Sequence, residues 1–84
     1  MAHAYLNYRK DLSASKIAEM LKLASDAIRD DGVAVMGKIW RGDSFSCLNA
    51  MDYLTEEGYL IELTAGKDVW GQNRVYTAGP RMPR

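Results

Sequence analysis

The chain has 84 residues, a formal net charge of zero at pH 7 and a hydrophobic content of 48%. These values are typical of one small folded domain and exclude a disordered chain. A single cysteine, Cys47, excludes an internal disulfide, and no apolar run approaches the ~20 residues of a membrane-spanning helix. We therefore expect a cytoplasmic protein with no secretory leader and no membrane association.

Residues 1–12 form an N-terminal segment with an apolar cluster at Tyr5, Leu6 and Tyr8. The run is too short to show a clear period. We expect the cluster to contact either a second protomer in a homodimer or the first helix of its own domain. His3 has no cysteine, histidine or acidic residue at ligand spacing, so we expect no metal site there.

The domain itself is predicted to span residues 13–79, and its longest periodic element is 13–30. One face of this predicted helix is apolar and comprises Ile17, Met20, Leu21, Ala24, Ala27 and Ile28. Ser13 and Ser15 are both suitable N-caps, and Gly32 is a suitable end. The alternative is two helices broken near Leu23. An unbroken apolar face without Gly or Pro favours one helix.

A short apolar segment follows, reading VAVMGKIWR from residue 33 to residue 41. We expect residues 33–35 to form a small strand that pairs with a later hairpin. Residues 36–40 are predicted to form a short helix, which Gly37 weakens by up to ~1 kcal/mol relative to alanine. Residues 41–43 then form a turn.

The segment 44–57 is predicted to be an amphipathic helix that begins at Ser44 as its N-cap and stops at Gly58. A helical wheel places four residues on the inward face, Cys47, Ala50, Met51 and Leu54. It places four others on the outward face, Phe45, Asn49, Asp52 and Glu56.

A strand at 59–64, a polar tip at 65–73 and a returning strand at 74–77 complete the predicted hairpin. Residues 80–84, with Pro80 and Pro83, are predicted to be a flexible basic tail that leaves the fold. From residue 59 onward the basic residues outnumber the acidic ones, so the hairpin and tail are the basic part of the chain.

This order of helix, short helix, turn, helix ending in EEGYL and hairpin resembles a winged helix-turn-helix domain. The closing RVYTAG is similar to the second wing strand of many small bacterial and phage regulators. The resemblance covers roughly residues 13–77 and implies an α+β fold of three helices with a C-terminal β-hairpin wing. It implies a DNA-binding transcriptional regulator, with a recognition helix at 44–57 and a basic wing at 65–74.

Carried onto this chain, the resemblance places the start of the recognition helix in the major groove and the wing against the DNA backbone or minor groove. Base or phosphate contacts are then expected from Ser44, Ser46 and Asn49, with Asn49 suited to adenine. Phosphate contacts are expected from Lys38 and Arg41. The wing would contribute Lys67, Trp70, Gln72 and Arg74. Two structural alternatives are open, since Ser44 could serve only as a cap and Trp70 could fold back over the hairpin.

The chain departs from a strong DNA binder in two respects. The recognition helix has no Lys or Arg, and Asp52 and Glu56 on its predicted outward face would repel phosphate. Phe45 and Leu48 are apolar where a groove reader is usually polar. The alternative function is therefore a winged-helix module that binds a protein partner through Phe45 and Leu48. We expect neither an enzyme nor a bound cofactor, since nucleophile and phosphate-loop motifs are missing.

Overall fold

The computed structural model describes residues 12–83, whose elements follow the order helix, strand, helix, helix, strand, strand. They are α1 (Ala14–Asp31), β1 (Ala34–Val35), α2 (Met36–Ile39), α3 (Ser44–Glu56), β2 (Leu60–Glu62) and β3 (Val75–Ala78). A 3₁₀ turn at Gly71–Asn73 precedes β3. The three helices and the antiparallel sheet confirm the predicted α+β class, and the element order is compatible with a winged-helix-like fold. The predicted contact of Tyr5, Leu6 and Tyr8 lies outside the described residues and stays a prediction.

Helix α1 is continuous, so the alternative of two helices broken near Leu23 is wrong. Ser13 is its N-cap: the Ser13 hydroxyl accepts a hydrogen bond from the Lys16 backbone N–H at 3.1 Å. At the other end, Gly32 has a φ of 84°, and its N–H donates to the Ile28 carbonyl at 2.7 Å. This left-handed conformation favours glycine and ends the helix where the sequence predicts.

The sheet has β3 in its centre, with β1 and β2 on either side and both antiparallel to it. Ala34 lies opposite Tyr76, which confirms that the segment after α1 pairs with the hairpin. Both hairpin strands differ from the predicted 59–64 and 74–77. Strand β2 is the shorter of the pair: the Leu63 N–H still donates to the Val75 carbonyl at 2.8 Å, but the Val75 N–H donates to the Thr64 hydroxyl, at 3.2 Å, in place of a strand carbonyl.

The core lies between α1, α3 and the inner face of the sheet. The predicted inward residues of α3, including Cys47, Met51 and Leu54, are buried as expected. The buried apolar residues are Met20, Ala24, Ala34, Met36, Ile39, Cys47, Ala50, Met51, Leu54, Leu60 and Tyr76. Since α3 supplies the middle of this core, its position relative to α1 and the sheet is fixed by packing.

Helix α3 ends in a Schellman motif, in which hydrogen bonds cross back over a left-handed residue. Gly58 has a φ of 88° and donates its N–H to Thr55, while the Tyr59 N–H donates to the Leu54 carbonyl at 2.9 Å. Gly79 passes so close to this turn that a Cβ added there would lie 2.4 Å from the Gly58 carbonyl oxygen. The predicted stop at Gly58 is confirmed.

Residues 80–83 differ from the predicted tail that leaves the fold. The Arg81 guanidinium donates to the Glu57 carbonyl at 2.9 Å and lies over the Tyr59 ring, 4.6 Å from its centroid. The Met82 sulfur accepts a hydrogen bond from the Ser25 hydroxyl at 3.1 Å, and its side chain packs against the core. Pro80 and Arg81 form a turn, closed by the Met82 N–H donating to the Gly79 carbonyl at 3.2 Å, that returns the chain to α1.

Candidate nucleic-acid interface

The turn between α2 and α3 is held by side chains of α1 and α3 that bond the main chain of Arg41. The Arg41 N–H donates to the Cys47 sulfur at 3.4 Å, and the Cys47 thiol donates back to the Arg41 carbonyl at 3.1 Å. The Lys16 ammonium also donates to that carbonyl, at 3.0 Å. These bonds use main-chain atoms of Arg41, and its guanidinium, on an exposed residue, donates from Nη1 to the Trp40 carbonyl at 2.8 Å.

The N-cap of α3 is Asp43, and the prediction that Ser44 caps the helix is wrong. Gly42, with a φ of 74°, sets the turn so that Asp43 takes the extended conformation of a capping residue. Its carboxylate accepts from both the N–H of Ser46, at 3.1 Å, and the Ser46 hydroxyl, at 2.9 Å. The hydroxyl and the N–H of Ser46 together hold the pKa of the Asp43 carboxyl below its ordinary value. Ser44 is the first helical residue and is half-buried.

Asn49 is buried, with 6% of its surface exposed, which corrects the expectation that it lies on the outward face. It lines a cleft of about 360 Å³ between the start of α1 and the first turns of α3. The residues around this cleft are Leu12, Ser13, Lys16, Asp43, Phe45, Ser46 and Asn49. Because the start of α1 packs beside α3 here, the Asn49 amide is not presented at the surface of the domain, as base reading would require.

Asp52 is also buried, at 8% exposure, although it was predicted to lie outward. Its Oδ1 atom lies 3.5 Å from the Nη1 atom of Arg74, whose side chain is 23% exposed. Arg74, a predicted wing contact to DNA, is therefore used in an ion pair between the hairpin and α3. The phenol of Tyr76 lies beside this pair, and its burial, together with the Glu62 carboxylate, raises its pKa above the ordinary value.

The hairpin loop, residues 63–74, folds onto α2 and α3. A Cβ at Gly37 would lie 2.9 Å from the Gln72 carbonyl oxygen, so glycine permits the contact between α2 and the 3₁₀ turn. A Cβ at Gly71 would lie 3.1 Å from Cδ1 of Leu48, so the loop also touches α3. Trp70 is 78% exposed, which makes the alternative of Trp70 folding back over the hairpin wrong.

The basic residues divide into two groups within residues 12–83. One group forms ion pairs with carboxylates and comprises Lys16, Lys22, Arg29, Arg74 and Arg81. The other comprises Lys38, Arg41 and Lys67, which are exposed and make no ion pair with a described residue. These basic residues belong to α2, the α2–α3 turn and the hairpin loop, the elements around the first half of α3.

The predicted site residues are thus brought together only in part. Lys38, Arg41, Lys67, Trp70 and Gln72 are exposed on the elements named above. Ser44 and Ser46 are half-buried, and the Ser46 hydroxyl is occupied by the cap. Asp43 was not predicted as the cap, although an aspartate directly before a helix is a sequence signal for an N-cap.

No cluster of histidine, cysteine and acidic side chains with the geometry of a metal site occurs among the described residues. Within 12–83, no helix has both the length and the apolar character needed to cross a membrane. No protein-family model, curated protein or solved structure matches this chain.

Proposed function

We propose that this domain is a winged helix-turn-helix DNA-binding protein that regulates transcription. The contact surface is formed by the first half of α3, the α2–α3 turn and the hairpin loop. The observation that carries the proposal is the distribution of basic charge: Lys38, Arg41 and Lys67 are exposed and outside ion pairs with described residues. Because phosphate contacts supply much of the affinity for DNA, a neutral protein needs this kind of local basic surface.

The position of the first half of α3, beside the hairpin loop, supports the same DNA-contact surface. Its N-terminus is held by the Arg41–Cys47 bonds and the Asp43 cap, and it opens to solvent at Phe45, which is 63% exposed. Its C-terminal half packs against β2, and the residue after it, Glu57, accepts a hydrogen bond from Arg81. The hairpin loop lies beside α3 through Leu48 and Gly71, so a bound duplex would contact the helix and the loop together.

The salt dependence of duplex binding tests the proposal. Substitution of Lys38, Arg41 or Lys67 by alanine should lower the slope of log K against log salt by about one unit each, because each removes one phosphate contact. The Arg41 substitution keeps the backbone hydrogen bonds of the turn, so the fold is preserved. Fluorescence anisotropy with a labelled duplex at several salt concentrations provides the measurement.

Lys22→Ala is the matched control for this experiment. Lys22 is an exposed lysine on α1, where it pairs with Asp26, and it lies outside the proposed surface. It should leave the slope unchanged. If the Lys38, Arg41 and Lys67 variants behave like the Lys22 variant, the proposed surface does not bind DNA.

A second candidate function, binding to a protein partner, is favoured by the exposed apolar side chains. Phe45 and Trp70 are more than half exposed, and Ile61 and Leu63 on the hairpin are each 47% exposed. Such residues are enriched at the centres of protein interfaces. If duplex binding shows no salt dependence while Phe45→Ala abolishes binding to a purified partner protein, this function replaces DNA binding.

A further inference from the structure

The cleft of about 360 Å³ beside Asn49 lies where two helices begin. Ser13, the N-cap of α1, and Asp43, the N-cap of α3, both line it. Leu12 and Phe45 add apolar surface to its walls. Sites for small molecules in proteins have volumes of about 300–1,000 Å³ and combine apolar walls with a few polar groups, and this cleft has both properties.

The Asn49 side chain is the most enclosed polar group of the cleft. Asn49 is only 6% exposed, yet its amide makes no hydrogen bond with any residue between 12 and 83. The neighbouring Ser46 hydroxyl, by contrast, donates to Asp43 at 2.9 Å. A buried amide without a partner destabilises a fold, so water or a ligand normally bonds such a group. Asn49 therefore offers an NH₂ donor and a carbonyl acceptor to a molecule in the cleft.

Two opposite charges also line the cleft, and no ion pair joins these two described side chains to each other. The Lys16 ammonium donates to Glu19 at 2.8 Å and to the Arg41 carbonyl at 3.0 Å, which leaves one of its three donors. The Asp43 carboxylate accepts both Ser46 donors on Oδ2, so acceptor sites remain on it. The hydrogen bond to Glu19 is the main cause that raises the pKa of Lys16, and the Asp43 charge adds to it.

This set of groups fits a zwitterion better than a simple ion. An anion alone would be repelled by the Asp43 carboxylate, and a cation alone by the Lys16 ammonium. A molecule that carries both charges is attracted at each end, because hydrogen bonds between charged groups are the strong ones. The apolar surface of Leu12 and Phe45 remains for the rest of such a molecule.

We propose that this cleft binds a free α-amino acid with an apolar side chain. Lys16 binds the carboxylate of the amino acid and Asp43 binds its ammonium group. The Asn49 amide bonds the same polar end, and the apolar side chain packs on Leu12 and Phe45. This inference goes beyond the proposed DNA binding and does not depend on it.

An NMR titration of the isotope-labelled full chain tests the site with three probes. They are L-leucine, N-acetyl-L-leucine, which lacks the ammonium group, and L-leucinamide, which lacks the carboxylate. Leucine should cause saturable shifts at the backbone amides of Ser46 and Asn49 and at the Asn49 side-chain NH₂. Each analogue should bind roughly 10-fold more weakly or worse, because each loses one charge-assisted hydrogen bond.

Variants assign each end of the ligand to one side chain. Asp43→Asn keeps a good N-cap and removes the charge, so it should weaken leucine binding and leave N-acetyl-leucine binding unchanged. Lys16→Met should weaken leucine binding and leave leucinamide binding unchanged. Lys22→Met is the matched control on α1, outside the cleft, and should change neither affinity. Circular dichroism confirms that each variant is folded.

The outcomes separate this inference from the proposed function. The absence of saturable shifts at the cleft amides with leucine overturns the amino-acid site. Equal affinity of the wild type for all three probes also overturns it, since neither charge of the ligand is then recognised. Loss of the salt dependence in the duplex experiment would remove the proposed DNA binding and leave this site in place.

Discussion

At the scale of single residues, Asn49 and Asp52 show how far a helical wheel predicts burial. The wheel places both opposite the buried Cys47–Leu54 stripe, but both are buried: Asn49 lines the cleft beside the start of α1, and Asp52 lies against Arg74 of the hairpin. Asp52 was expected to repel phosphate from an exposed surface. Because it pairs with Arg74 inside the domain, its charge instead joins α3 to the start of β3.

The Asp52–Arg74 pair is predicted to stabilise the fold. Asp52→Asn and Arg74→Met should each lower the free energy of unfolding by about 1–3 kcal/mol, because each leaves a largely buried charge without its counterpart. In a double-mutant cycle followed by urea denaturation, the coupling between them should be about 0.5–3 kcal/mol. Strictly additive effects would show that the 3.5 Å contact contributes nothing.

The raised pKa of Tyr76 predicts that the fold loses stability at alkaline pH. Burial and the nearby Glu62 carboxylate raise its pKa in the folded state, whereas an unfolded tyrosine titrates near pH 10. The unfolded chain therefore releases its proton first, so this contribution is complete below about pH 10 and is lost as the pH rises further. Above about pH 10 the unfolding free energy of the wild type should fall relative to that of Tyr76→Phe. A difference between the two that stays constant with pH would contradict the prediction.

At the scale of elements, the start of α3 depends on the turn that precedes it. Gly42 orients Asp43, Asp43 bonds Ser46, and Cys47 bonds Arg41, so the helix and the turn form one hydrogen-bonded unit. The hairpin loop adds a second support, because it touches α2 at Gly37 and α3 at Leu48. The proposed DNA surface therefore consists of α2, the turn and the start of α3, which follow one another in the chain, together with the hairpin loop that packs on them.

The assignment of the cap gives an element-scale prediction. Asp43→Ala should lower the melting temperature more than Ser44→Ala, since only Asp43 accepts the Ser46 N–H. The contribution of the Asp43 carboxylate to stability should be complete above pH ~3.9, which is the pKa of aspartate in the unfolded chain. It should be lost as the pH falls through the pKa of Asp43 in the folded state, which is lower. Thermal melts of both variants at neutral and acidic pH measure this, and equal melting temperatures at neutral pH would refute the assignment.

At the scale of the whole molecule, the C-terminal turn closes the domain. Arg81 bonds the end of α3, and Met82 reaches Ser25 in the middle of α1. The residues after β3 therefore connect the end of α3 to the middle of α1.

This closure predicts that the C-terminal residues affect stability. Met82→Ala should lower the free energy of unfolding by about 1–2 kcal/mol, less than the 2–5 kcal/mol of a fully buried methionine, because its side chain is half-buried. Pro83→Ala, at an exposed neighbouring position, is the matched control and should be nearly neutral. Urea denaturation provides the comparison, and equal stability of both variants would show that the turn does not contribute.

The sequence by itself determined those features that depend on local periodicity and backbone conformation. The continuous α1, the stops at Gly32 and Gly58, the buried Cys47 and Leu54, and the pairing of residues 33–35 with the hairpin were all predicted. Each follows from the 3.6-residue period, from the left-handed preference of glycine or from strand propensity. These causes act within a few residues of chain.

Only the tertiary structure decided which polar groups are exposed and which are buried or bonded inside the domain. Asn49 is buried beside a cleft that the start of α1 also lines, Arg74 pairs with Asp52, and Met82 returns to Ser25, all through residues at least 20 positions away. No local pattern encodes such contacts, because they depend on how helices and hairpin pack against each other. The same packing leaves Lys38, Arg41 and Lys67 outside ion pairs within the described residues, and leaves Phe45 and Trp70 exposed.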